Sequence, residues 1–385
     1  MSRTAVPKAN STAAEGEGVP VSRTAVPKAN STAAEGEGVP VSRTAVPKAN
    51  STAAEGESVP IRAASLREAG DAKSSRADWS RTPERSNMLA LRVICWIAIR
   101  CGRPLARLVL HPICLYFLLF SPAPRRHIKR YLFRAIGPRA GWSDGYKLLH
   151  AFASTVLDRI YFLRGRMDLF DVRVHGNAPV EAEVAAGRGA FMLGAHIGSF
   201  EALGACKHQS GRPKDLRLAM LMYQDNAQQI SAVLDAIAQP GLRPHIIALG
   251  RPHSMLDLRD WLDGGGLAGL LGDRTLPGPE EAGQQRGNSI ELPFLGHPAL
   301  INDGPFRLAA LLRRKVFFMA GLYVGGARYD VHFEPLADFS ERVSDPVERE
   351  RRIRAALESY VARLEALCRA YPYNWFNFHD FWQED

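Results

Sequence analysis

The chain has 385 residues, with 49 Lys plus Arg against 40 Asp plus Glu and a formal net charge of +9. Hydrophobic residues make up 46% of it, enough for a substantial core, which excludes a fibrous or wholly disordered chain. The positive balance invites a nucleic-acid reading, and its distribution along the chain argues against one.

Residues 2–61 are three near-identical copies of a 20-residue unit, each carrying one Arg, one Lys and two Glu, so this stretch is neutral. The unit has no aromatic residue and no amphipathic period, and a chain that buries so little cannot offset its ordering entropy. The composition predicts a disordered extension over 1–87, whose last 26 residues add a charge of +2. Residues 88–143 hold ten basic side chains and no acidic one, interleaved with Leu, Ile and Val. Two apolar runs, 88–99 and 105–120, fall short of an uninterrupted spanning helix, which needs about 20 apolar residues. Apolar faces edged with Arg suit helices on an anionic membrane surface; a buried hairpin with solvated arginines is the alternative. The remainder, 144–385, carries −3, so the globular part lacks the basic surface that nucleic acid needs.

Within 144–385, strand-like runs at 170–175, 189–195, 216–222, 245–249, 267–271, 316–323 and 329–333 alternate with helical patterns at 198–207, 226–238, 254–262 and 306–313. This spacing predicts an α/β domain with a largely parallel or mixed central sheet flanked by helices. Gly325-Gly326 marks a turn that could join the last two strands as an antiparallel hairpin. Asp345-Pro346-Val347-Glu348 opens a last helix, and its apolar stripe Ile353, Leu357, Tyr360, Val361, Leu364 and Leu367 predicts packing on the sheet. The organisation expected is a tail (1–87), a membrane-associated helical module (88–143) and a catalytic α/β domain (144–385).

In such folds ligands lie beyond the carboxyl ends of the strands, where His196 sits, with Glu201 in the first turn of the following helix. A carboxylate returning to the imidazole would fix its tautomer and leave the other nitrogen as a general base. A loop histidine beside a helix-capping glutamate is the structural alternative. Ser199 has no Gly two residues before it, so no nucleophile elbow is present. No phosphate-cradling or dinucleotide glycine motif occurs. The five cysteines form no Cys-x-x-Cys pair, and His196 with Glu201 makes a poor metal site, so no metal and no cofactor is expected.

Several blocks then occur in order: Ala195-His196-Ile-Gly-Ser-Phe-Glu201, Leu271-Gly-Asp-Arg-Thr275, Leu292-Pro-Phe-Leu-Gly-His-Pro298, Gly304-Pro-Phe-Arg-Leu-Ala309, Gly325-Gly-Ala-Arg-Tyr329 and an aromatic ending over 372–382. Together they resemble the bacterial lipid A biosynthesis (late) acyltransferase family of the lysophospholipid acyltransferase superfamily, across 88–385. Ser199-Phe200 stands where the commoner form has Asn-Trp. This variant and the ending look most like the branch found with aryl-polyene and xanthomonadin-type pigment pathways.

The resemblance implies a membrane-bound O-acyltransferase at the cytoplasmic face of the inner membrane. It would take an acyl group from acyl carrier protein or coenzyme A to a hydroxyl of a lipid or glycolipid. His196 would be the base and Glu201 its orienting partner. The amides near Gly198 and Ser199, with Arg274, would hold the oxyanion. Arg274 could instead bind a substrate phosphate or simply pair with Asp273, itself a supporting or acceptor contact. Arg307 and Arg328 read as structural. Trp375, Phe376, Phe378 and Trp382 would border an acyl groove or the bilayer, or else pack in the core. A lipid or thioester hydrolase, and a catalytically silent lipid-binding protein, are the alternatives on the same fold.

Overall fold

The computed structural model describes residues 88–204, 217–223, 245–250, 253–274 and 289–384. The repeat tail and the helix expected over 226–238 lie outside the described residues. All described residues belong to one compact unit, 72–385.

Four helices come first: α1 (Met88–Cys101), α2 (Arg103–Phe120), α3 (Pro122–Ile136) and α4 (Trp142–Leu163). Prolines at the start of α2 and α3 suit a first turn, where the missing N–H has no helical partner to lose. The α4 helix starts two residues before the boundary expected at 143/144. Ala98, Ala106 and Leu110 of α1 and α2 bury against Leu157, Ile160 and Tyr161 of α4, so the basic helices share a core with the domain that follows.

The strands β1 (Asp171–His175), β2 (Ala190–Gly194), β3 (Leu218–Tyr223), β4 (His245–Leu249), β5 (Leu267–Leu271), β8 (Lys315–Gly325) and β9 (Arg328–Asp338) form one sheet in the order β1-β9-β8-β2-β5-β3-β4. Every pairing is parallel except the β8–β9 hairpin, which makes the sheet mixed. The central strand β2 is buried at every position, whereas the edge strand β1 alternates. That difference follows from a central strand being covered on both faces. Two further strands, β6 (Ser289–Phe294) and β7 (His297–Asn302), pair as a separate antiparallel hairpin that the sequence reading did not foresee.

The helices α5 (Ala178–Ala185), α6 (Phe200–Gly204), α7 (Ser254–Asp263), α8 (Gly304–Leu311) and α9 (Pro346–Ala370) complete the layers. The Asp345 side chain caps α9 by accepting from the Val347 amide at 3.0 Å. The expected stripe of α9 is buried, and the Tyr360 hydroxyl reaches across to donate to Gly194 O at 2.9 Å.

Several arginines of the basic module do not face outward as expected. Arg103 grips the fully buried Asp158 with two hydrogen bonds of 2.7 and 2.8 Å, and the Tyr329 hydroxyl donates to the same carboxylate at 2.8 Å. Burial, reinforced by Asp158, pushes the Tyr329 phenol far above its ordinary value, so it stays a donor. Arg130 pairs with Asp380 at 2.9 Å and Arg134 with Glu384 at 2.6 Å. Desolvating a charge is costly unless it is matched, and these acids from distant segments supply the match.

Asp158→Ala leaves the Arg103 guanidinium buried without its carboxylate, and is expected to cost about 3 to 5 kcal/mol of stability in a denaturant titration.

Candidate functional site

The parallel register builds the site. Gly194, the last residue of β2, pairs with Leu271, the last residue of β5. The Gly272 amide extends the ladder by donating to Gly194 O at 3.0 Å. Two residues beyond each of the paired ends stand His196 and Asp273. They meet: His196 Nδ1 lies 2.8 Å from Asp273 Oδ1, and the His196 amide donates to Asp273 Oδ2 at 2.9 Å. A third donor, the Trp375 indole Nε1, reaches Oδ2 at 3.0 Å.

Asp273 is 4% exposed. Burial by itself would raise its carboxyl, but the His196 ring, the Arg274 charge and the His196 amide outweigh that and hold it well below the ordinary carboxylate range. The carboxylate is therefore ionised and acceptor-only, which assigns the Nδ1 proton to the imidazole and makes Nε2 the acceptor in the neutral ring. The His196 side chain keeps 28% of its surface exposed, so the free edge of the ring is reachable.

Glu201 does not hold this position. Its carboxylate makes an ion pair with Arg159 of α4, Nε to Oε1 at 2.7 Å, and accepts from Ser199 Oγ at 3.2 Å. The five-residue connection carries Glu201 along α6 and away from the ring, while the neighbouring strand delivers Asp273 directly to it.

The expected amide donors are also committed elsewhere. The Gly198 amide donates to Asn374 O at 2.9 Å and the Ser199 amide to Gly321 O at 2.7 Å. The loop 196–199 is threaded between β8 and the C-terminal segment, and Gly198 adopts a φ of +65°. A Cβ there would lie 2.0 Å from Gly321 O, so only glycine fits. The segment 374–376 braces the loop: Phe376 N donates to His196 O at 2.7 Å, and Ile197 bridges Trp375. Asn374 pins that segment to β8 with two hydrogen bonds to the Tyr323 backbone, of 2.7 and 3.0 Å. Trp375 is fully buried, with Tyr131, Phe294 and Phe381 packed around its ring.

His196 opens on a cleft of about 220 Å³. Its wall is mainly apolar, with Phe152, Val156, Phe200, Leu271, Met319 and Phe376 among the lining side chains. Phe378 also lines it, so the aromatic ending serves both readings: Trp375 and Trp382 are core, while Phe376 and Phe378 border the cleft. Arg274 lines the cleft too, and burial lowers its guanidinium from the ordinary value while Asp273 opposes that. Arg307 pairs with Asp303 at 2.8 Å and with Glu350 at 2.6 Å. Among the described residues no cluster of three His, Cys, Asp or Glu side chains could hold a metal ion.

The fold and site define an α/β protein in which a buried carboxylate orients an imidazole toward an apolar cleft. No protein-family model matches the chain, and a search of curated proteins gives no significant match.

Arg159 carried no legible role in the sequence, and the hydrogen bond from Trp375 to Asp273 was not legible there either. The signal for Asp273 was its offset from the strand end, which equals that of His196 once β2 and β5 are known to be neighbours.

His379 reports on the same neighbourhood. Burial, then the charge of Arg274, pushes its imidazole down from 6.5 to about 4. Between these values the unfolded chain binds a proton that the folded chain refuses, so stability falls as pH drops through this window. Asp273 acts in the same direction below the ordinary carboxylate range. Denaturant titrations at pH 7 and 4.5 are expected to differ by about 2 to 3 kcal/mol through His379. His379→Phe should flatten that dependence.

Proposed function

We propose that this protein is a membrane-associated O-acyltransferase of the late acyltransferase type. It carries an acyl group from an acyl carrier protein or coenzyme A thioester to a hydroxyl of a lipid or glycolipid. The observation that carries this reading is the His196–Asp273 pair opening on an apolar cleft. The order of the sequence blocks supports the family.

His196 Nε2 takes the proton of the acceptor hydroxyl as the oxygen attacks the thioester carbonyl. Asp273 keeps the ring in the right tautomer and stabilises the imidazolium. The tetrahedral intermediate collapses, the C–S bond breaks, and the thiolate leaves with the proton that His196 returns. The products are an ester and a thiol. Base catalysis of this kind contributes about 10² to 10⁴-fold. Of the donors expected for the oxyanion, the Gly198 and Ser199 amides are bonded to backbone acceptors, and Arg274 lines the cleft.

Membrane association is part of the proposal. The α2 helix is 18 residues long with a mean hydropathy of 1.4, and 22% of that window is buried. Trp96, Leu108, Tyr116, Phe120 and Trp142 are all exposed on the first four helices. Phe152 and Val156 of α4 are partly exposed and also line the cleft, which links the outer apolar face to the reacting centre. The cytoplasmic side of the inner membrane, where acyl thioesters are made, is the location proposed. Thioester hydrolysis is the second reading, favoured by the solvent access of His196, and free fatty acid as product identifies it.

With a radiolabelled acyl thioester and a bacterial lipid extract as acceptor, the wild-type chain is expected to label a lipid. His196→Ala should lower that rate by about 10²-fold or more at unchanged melting temperature. Undiminished transfer by this variant contradicts the mechanism.

A further inference from the structure

Glu201, displaced from His196, raises the question of what its carboxylate does. Its side chain is 11% exposed, so it needs a partner, and that partner is Arg159. The contact is made on one edge of the guanidinium only. Arg159 Nε is buried 2.7 Å from Glu201 Oε1 in an ion pair that lacks hydrogen-bond geometry, yet the Arg159 side chain as a whole is 42% exposed. The exposed part is therefore the outer end and stem, and neither Nη atom makes a hydrogen bond among the described residues. Arg159 follows Phe152, Thr155 and Val156 on one face of α4, and all four line the cleft.

The charge of the wall has a sign. Two guanidinium groups line it, Arg159 and Arg274, against one carboxylate, Glu201. Asp273 is absent from the lining and committed to His196 and Trp375. A guanidinium ion-paired along its Nε edge leaves its two terminal nitrogens as a fork, which matches two oxygens of one oxyanion.

We infer that Arg159 binds a phosphate group of one of the two substrates, and that Glu201 is a positioning residue acting through Arg159, not through His196. The inference rests on the reading of the cleft as an acyl-transfer site. The phosphate has two sources: the carrier arm of the acyl donor, or the headgroup of the acceptor.

Equilibrium binding to the full chain in detergent separates them. The donor arm compares octanoyl-4′-phosphopantetheine with octanoyl-pantetheine, the same thioester without phosphate. The acceptor arm compares glycerol 3-phosphate with glycerol. Arg159→Gln is expected to weaken the phosphate-bearing probe of one arm by about tenfold or more, and its phosphate-free counterpart by less than about twofold. The arm that responds names the source. Arg159→Lys, which keeps the charge but loses the fork, should fall between. Glu201→Gln should weaken the same probe less, and the double variant should be no weaker than Arg159→Gln alone. Unchanged affinity for both phosphate probes in Arg159→Gln, no binding of either by the wild type, or additive effects in the double variant would overturn the inference. Arg159-dependent phosphate binding in a wild-type chain that transfers no acyl group would remove the acyltransferase reading and leave this site standing.

Discussion

The buried carboxylate of Asp273 is the constraint around which the rest is arranged. A charge this deep persists only if its acceptor sites are filled, and three donors fill them: the His196 ring, the His196 amide and the Trp375 indole. They come from segments 77 and 102 residues away in the chain. Bringing them together requires β2 and β5 to be neighbours in the right register and the C-terminus to return beneath the loop that carries His196. The sheet order and the aromatic ending therefore serve one hydrogen-bonded group.

The return of the C-terminus also explains where the charge of the chain goes. The basic helices and the weakly acidic domain look like separate bodies along the sequence. In space, Asp158, Asp380 and Glu384 meet Arg103, Arg130 and Arg134. The Arg103 pair is buried and ties the helices to the sheet. The Arg134 pair is more open and contributes little by itself, although its guanidinium also stacks on Trp382. Part of the +10 stretch is thus paired within the fold, while α1, α2 and α4 expose apolar residues such as Trp96, Leu108, Tyr116, Phe120 and Trp142.

Much of the architecture was legible in periodicity. The alternation of strands and helices, the Gly325-Gly326 hairpin and the stripe and cap of α9 all follow from local patterns. The β6–β7 hairpin carries Pro293 and Pro298, which face each other across the pair and interrupt the local strand pattern. The site was only half legible. His196 was visible because it ends an apolar strand. Its partner was not, because Glu201 is near in sequence whereas Asp273 is near only through β2–β5 pairing, which no local pattern encodes. The Gly198 and Ser199 amides looked available for the same reason: the groups that occupy them, Asn374 O and Gly321 O, arrive from distant elements.

The central claim is that Asp273, and not Glu201, orients His196. The most direct test compares the turnover numbers of Asp273→Asn and Glu201→Gln with the same acyl thioester and lipid acceptor. Replacing the carboxylate by an amide at Asp273 offers the imidazole the wrong partner, and turnover should fall on the order of 10³ to 10⁴-fold. Glu201→Gln should stay within about tenfold of the wild type, because its carboxylate never touches the ring. The reverse order, with Glu201→Gln inactive and Asp273→Asn near normal, would contradict the account.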